Sequence, residues 1–144
     1  MYWKIHMKEE PTMAKARKVK EVSFTIPNKV GLLSEVTTAI AGAKVNITAI
    51  CAYAMENMAY FMLTTDSNAK AKKALASLGV GMEEKDVVEV EMANKPGELQ
   101  KAAKRIADAG IDIEYMYGTA RVGKTATCVF KTADDGKAIK VINK

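Results

Sequence analysis

A shift of 66 residues lays Val22–Ile50 on Val88–Met116 without a gap. Nine pairs are then identical: Val22/Val88, Asn28/Asn94, Lys29/Lys95, Gly31/Gly97, Leu33/Leu99, Ile40/Ile106, Ala41/Ala107, Ala43/Ala109 and Ile47/Ile113. Phe24/Val90, Ile26/Met92, Val45/Ile111 and Asn46/Asp112 are conservative. This is an internal duplication. It limits a chain of 144 residues to two small units of about 65 residues each. Two copies are too few for a solenoid.

One unit can be read element by element. Val22–Ile26 alternates apolar and polar residues, which predicts a strand with one buried face. Pro27 to Gly31 is a turn. Leu32, Leu33, Val36, Ile40 and Ala43 recur at helical spacing, predicting an amphipathic helix over 31–43. Ile47–Ala54 and Ala59–Thr65 read as two strands joined by a hairpin turn at Glu56-Asn57. Asp66, Ser67 and Asn68 offer caps for a helix over 68–78, which Gly79 ends. A short strand at Val80–Glu84 closes the unit. The second copy follows the same order: strand 87–92, turn 94–97, helix 97–109, strand 111–120, turn 121–124, strand 125–132, then a helix from Asp134. The predicted class is α+β, with two ferredoxin-like βαββαβ units, antiparallel sheets and helices on one face. The predicted parts are an N-terminal extension over 1–18, read as disordered or artefactual, a first domain over 19–85 and a second over 86–144.

The second copy ends without its closing strand, leaving an edge at Val87–Met92 that native sheets rarely leave bare. The first copy's last strand, another subunit or the N-terminal segment could fill it. Trp3, Ile5 and Met7 alternate as a strand would, although Met13-Ala14-Lys15-Ala16 also reads as an alternative start. The strands are apolar on both faces, so the second face needs a cover, and a homodimer is expected.

The repeated turn carries the candidate chemistry. It reads Asn28-Lys29-Val30-Gly31-Leu32-Leu33 in the first copy and Asn94-Lys95-Pro96-Gly97-Glu98-Leu99 in the second. A glycine at the helix start lets a ligand approach, and the unpaired first amides with the positive end of the helix dipole suit a carboxylate. Asn46-Ile47 and Asp112-Ile113 open the following strand, and that strand's start is expected beside the turn, where a polar side chain could take an ammonium group. Asn and Gly in such a turn are also ordinary capping chemistry. Recurrence in both halves favours the ligand reading.

The order strand, [D/N]-x-P-G-x-L, helix, small residue, [I/V]-[N/D]-I, strand resembles the ACT domain family. Asn94-Lys-Pro-Gly-Glu-Leu99 with Gly110-Ile-Asp-Ile113 matches closely, and Asn28-Lys-Val-Gly-Leu-Leu33 with Val45-Asn-Ile47 matches except for Val30 in place of Pro. The resemblance covers residues 20–143 and is to stand-alone tandem members. It implies a non-catalytic regulatory protein that binds an amino acid where domains pair, between the first turn of one and the second strand of a neighbour. By that likeness Asn28, Gly31, Leu33 and Asn46 line one site, and Asn94, Gly97, Leu99 and Asp112 the other. Asp112 adds a negative charge and Val30 frees φ of its turn, so the two sites should differ in affinity. A regulated metabolic enzyme is the implied partner. A docking module with no ligand of its own is the alternative.

Composition excludes several other classes. The one histidine, His6, lies outside the repeats, which excludes a His-based zinc site or a Ser-His-Asp triad in the folded body. No cofactor, metal site or catalytic residue is predicted. The formal charge is +5, but the first twenty residues hold six basic and two acidic groups, so the body is nearly neutral. That argues against nucleic-acid binding, as does the prediction that Tyr53, Tyr60, Tyr115 and Tyr117 pack between sheets. The Arg-bearing Gly-rich loop of acylphosphatases is absent. No apolar run approaches a membrane span and no signal-peptide pattern is present, and Cys51 and Cys128 fall in strand-like stretches outside any CxxC pair, where buried thiols are expected. A cytoplasmic protein is the expectation.

Overall fold

Strand β1 runs over Lys15–Pro27, well beyond the alternating core of Val22, Phe24 and Ile26. The structure is a computed structural model and describes residues 14–119 and 123–144. The expected alternation at Trp3, Ile5 and Met7, together with His6, Arg121 and Val122, lies outside the described residues. The chain divides into two compact units, Val19–Asp86 and Val87–Lys144, the second also taking in the segment that ends at Lys18.

In the first unit β1 is followed by helix α1 (Leu32–Gly42), strands β2 (Ile47–Met55) and β3 (Met58–Thr65), helix α2 (Asn68–Ala76) and the opening residues of strand β4 (Met82–Ala93). The strand order is β2-β3-β1-β4, with β3 antiparallel to both β1 and β2. Glu56 and Asn57 both have positive φ, 51° and 72°, as a two-residue hairpin turn of the primed type requires. Ser67 caps α2 by accepting from the Lys70 N–H. Val22, Phe24, Phe61 and Leu63 of the sheet form one core with Leu32, Val36 and Ile40 of α1 and Ala71 and Leu75 of α2, so both helices lie on one face. Each large side chain in this set contributes roughly 1.5–3 kcal/mol by leaving water.

The second unit holds β4 from Val87 on, helix α3 (Glu98–Asp108), strands β5 (Ile113–Thr119) and β6 (Thr125–Thr132) and helix α4 (Asp135–Ile142). Its order is β1-β4-β6-β5, with β6 antiparallel to β4 and β5. Asp134 caps α4 by accepting from Lys137 N–H. Val88, Val90, Met92 and Phe130 pack with Ala102 and Ile106 of α3 and Ala138 and Ile142 of α4. Both units are therefore α+β and ferredoxin-like, the first as βαββαβ and the second as βαββα with the start of β1 as its fourth strand.

The structure changes several expectations. The expected strands Val80–Glu84 and Val87–Met92 are not separate: Met82–Ala93 is the single strand β4, and Val80 and Gly81 lie just before it. Nothing between them breaks an extended chain: Lys85 and Asp86 are not turn-forming glycine or proline. The bare edge of the second unit is filled by Lys15–Lys18, the last part of the expected extension. Ala16 is buried in the second unit's core, Asn143 bonds to both its backbone groups, and Arg17 pairs with Glu89. The helix over 68–78 ends at Ala76. Cys128 is buried but Cys51 only partly so. Tyr53 is exposed and stacks on Tyr60 at 5.1 Å, on the sheet face turned away from the helices.

Candidate ligand site at the strand-to-helix turns

The two turns share one backbone solution. Gly31 precedes α1 with φ 86° and Gly97 precedes α3 with φ 88°, both left-handed. A β-carbon on either glycine would meet nothing within 4 Å, so conformation rather than crowding calls for glycine there. The chain closes the turn on itself: Leu32 N–H donates to Lys29 O at 3.2 Å, and Glu98 N–H to Lys95 O at 3.4 Å.

Neither α1 nor α3 has a side-chain cap, whereas α2 and α4 do. The capping reading of Asn28 and Asn94 is thereby overturned. Instead the two asparagines tie the turn to the neighbouring hairpin. Asn28 N–H donates to Asn57 O and Asn94 N–H to Lys124 O, each at 2.9 Å, while Asn94 Nδ2 donates to Gly123 O at 3.1 Å. The first amides of α1 and α3 keep the outward polarity of an uncapped helix start.

Apolar side chains crowd this edge without being buried. Val30 is fully exposed, and Leu33 and Leu99 are 55% and 45% exposed. Lys29 pairs with Glu35 at 2.9 Å. Lys95 and Pro96 are exposed, and Leu32 is buried in the core. Glu98 is 5% exposed and accepts from Lys101 Nζ at 3.0 Å.

Asn46 and Asp112 are not beside the turn of their own unit. β2 runs from Ile47, opposite Thr65, to Met55, opposite Met58, and Asn28 sits at the Met58 end. Asn46 is held at the other end, where its N–H donates to Asp66 Oδ1 at 3.0 Å and its carbonyl accepts from Asp66 N–H at 3.0 Å. The length of β2 puts the two positions roughly 25 Å apart. Asp112 occupies the matching place, its carbonyl accepting from Ala133 N–H at 3.0 Å. Ile47 and Ile113 pack against their unit cores. The expected clamp within one unit is thus ruled out: β1 and β2 are both antiparallel to β3 and so run parallel to each other, and the second strand starts where the first strand starts, not where it ends.

The second unit adds a feature that the residue pattern had not pointed to. A cavity of about 340 Å³ opens beside the turn, lined by Asn94, Lys95, Glu98 and Leu99 together with Met92, Met116, Gly118, Ala126 and Cys128 of the sheet. That is at the small end of the range for ligand pockets. Gly118 matters here, since a β-carbon would come within 2.7 Å of Cys128 Sγ and 2.9 Å of Thr127 O. Burial pushes the Cys128 thiol pKa up, which keeps it neutral. The signal in the sequence was the replacement of Ala52 by Gly118 and of Phe61 by Cys128, just past the overlaid stretch. Among the described residues no cluster of His, Cys, Asp or Glu could hold a metal ion, and no helix is long and apolar enough to cross a membrane.

Two ferredoxin-like units, each with an uncapped glycine turn before its first helix, define a tandem small-domain protein. The family described as ACT domain pair matches residues 17–144, and the chain belongs to that family. Among solved structures it is similar to protein BT0572 from Bacteroides thetaiotaomicron, with 30% identity, 90% of this chain and 87% of that chain covered, and a TM-score of 0.78. It is also similar in fold to the regulatory subunit of aspartate kinase from Thermus thermophilus, at 15% identity, 92% and 97% coverage and a TM-score of 0.63. The corresponding Thermus flavus subunit gives 16% identity, 92% and 97% coverage and a TM-score of 0.59. No curated protein matches.

Proposed function

We propose that this ACT domain pair is a non-catalytic regulatory protein that binds an amino acid at its strand-to-helix turns. The observation that carries this reading is the recurrence, in both repeats, of a left-handed glycine that leads into an uncapped helix amid exposed apolar side chains. An uncapped helix start is suited to the ligand carboxylate. In the family-based reading Asn46 or Asp112 reaches the ligand from a second copy of the chain, because its own unit holds it at the opposite end of the sheet. A homodimer also suits the exposed Tyr53 and Met55 on the open sheet face. The likeness in fold to regulatory subunits of aspartate kinase supports a regulated metabolic enzyme as partner. A cytoplasmic location fits the free cysteines.

Binding at a hundredfold excess over Kd stabilises the folded state by about 2.7 kcal/mol. A thermal-shift screen with the twenty amino acids therefore tests the reading. One or a few of them should raise Tm by several degrees. A flat screen with a folded protein would favour a docking module without a ligand.

A further inference from the structure

The two repeats differ where the cavity lies. In the first unit a cross-strand row places Ala52 opposite Phe61 and Phe61 opposite Phe24, and the two rings stack at 4.9 Å in the core. In the second unit the same row reads Gly118, Cys128 and Val90. Two aromatic rings and a methyl group are thus replaced by a thiol, an isopropyl group and a hydrogen. Here Gly118 and Cys128 line the cavity, with Met92, Met116 and Ala126 giving it apolar walls.

The mouth differs as well. Where the first repeat has the buried Leu32, the second has Glu98, a carboxylate only 5% exposed that lines the same cavity. Its partner Lys101 reaches it from a largely exposed position. A buried carboxylate against an apolar wall gains from a further cationic donor.

Building on the proposed amino-acid-binding function, we infer that the second repeat alone carries the specificity pocket. It takes an α-amino acid with an apolar side chain, the side chain filling the cavity and the ammonium group donating to Glu98. In the first repeat the stacked rings of Phe24 and Phe61 stand where the second has Val90 and Cys128.

Calorimetric titration of the full chain with leucine, methionine, valine and phenylalanine, against serine, aspartate and lysine, tests this. The expected result is one ligand per chain and at least a tenfold preference for an apolar amino acid. Val90→Phe with Cys128→Phe copies the first repeat's packing and should weaken binding at least tenfold. Glu98→Leu, which copies Leu32, should do the same with the cavity left open. Phe24→Leu in the first repeat should leave affinity within twofold. Should the double variant not fold, Ala126→Leu and Glu98→Leu decide the matter. Two ligands per chain, a preferred polar amino acid, or undiminished binding in the filled and Glu98 variants would overturn the pocket while leaving amino-acid binding intact. Titration by no amino acid would remove the underlying function, and the pocket with it.

Discussion

Asn143 grips the backbone of Ala16 with both ends of its side-chain amide. Ala16 N–H donates to Asn143 Oδ1 at 2.7 Å, and Asn143 Nδ2 donates to Ala16 O at 2.9 Å. Ala16 in turn is 7% exposed, within the core that includes Val88, Val90 and Ile142. The end of the chain thus secures the segment that fills the second unit's open edge.

Asn143→Ala should cost about 1–3 kcal/mol, because it leaves two partly buried backbone groups unpaired. Urea unfolding would read this as a lower midpoint at unchanged slope. Deletion through Lys18 should cost more and expose β4, which hydrogen exchange at Val87–Met92 would report as lost protection.

Gly31→Ala and Gly97→Ala should each cost roughly 1–2 kcal/mol, since both glycines hold a left-handed backbone with open space around them. Asparagine at either position should cost less. Gly118→Ala should cost more than either, because its β-carbon meets Cys128 Sγ and the Thr127 carbonyl. Thermal unfolding of the three variants gives the order directly.

Cys128 should react with a thiol-specific reagent far more slowly than Cys51 at neutral pH. It is 7% exposed and its pKa is raised by burial, whereas Cys51 is only partly buried. A bound ligand in the adjoining cavity should slow Cys128 further and leave Cys51 unchanged.

Glu84 accepts from Lys72 Nζ at 2.9 Å and from Asn68 Nδ2 at 3.1 Å, and these bonds, Lys72 first, hold its pKa below the ordinary 4.5. A carboxylate depressed in the folded state stabilises above its unfolded pKa, and the contribution is lost as pH falls through the folded value. Glu84→Gln should therefore lower stability at pH 7 by less than about 1 kcal/mol, the pair being solvent-accessible. The gap to the parent should close as pH drops below 4.5.

Much of the fold was legible in local patterns. Alternation at Val22–Ile26, helical spacing from Leu32 to Ala43 and the Glu56-Asn57 turn each specify one element, and the repeat specifies them twice. Strand extent was not legible, because Lys15–Lys20 is highly charged, and its extended form rests on tertiary contacts such as the Asn143 clamp, the Glu89 and Asp86 ion pairs and burial of Ala16. In the candidate site, Gly31 and Gly97 announced their turns through their residue type. The positions of Asn46 and Asp112 could not be read from sequence spacing alone, since the sense of the second strand decides which end of the sheet they occupy. The cavity is lined by Gly118 and Cys128, small residues without individual signals that gain meaning only against Ala52 and Phe61.

The central claim is amino-acid binding at the turns. Its most direct measurement is the melting temperature of the purified chain with each amino acid in excess, repeated for Gly97→Val. The account predicts a rise of several degrees with at least one apolar amino acid, lost in the variant. An unchanged melting temperature with all twenty, in a protein that is folded and unfolds cooperatively, would contradict it.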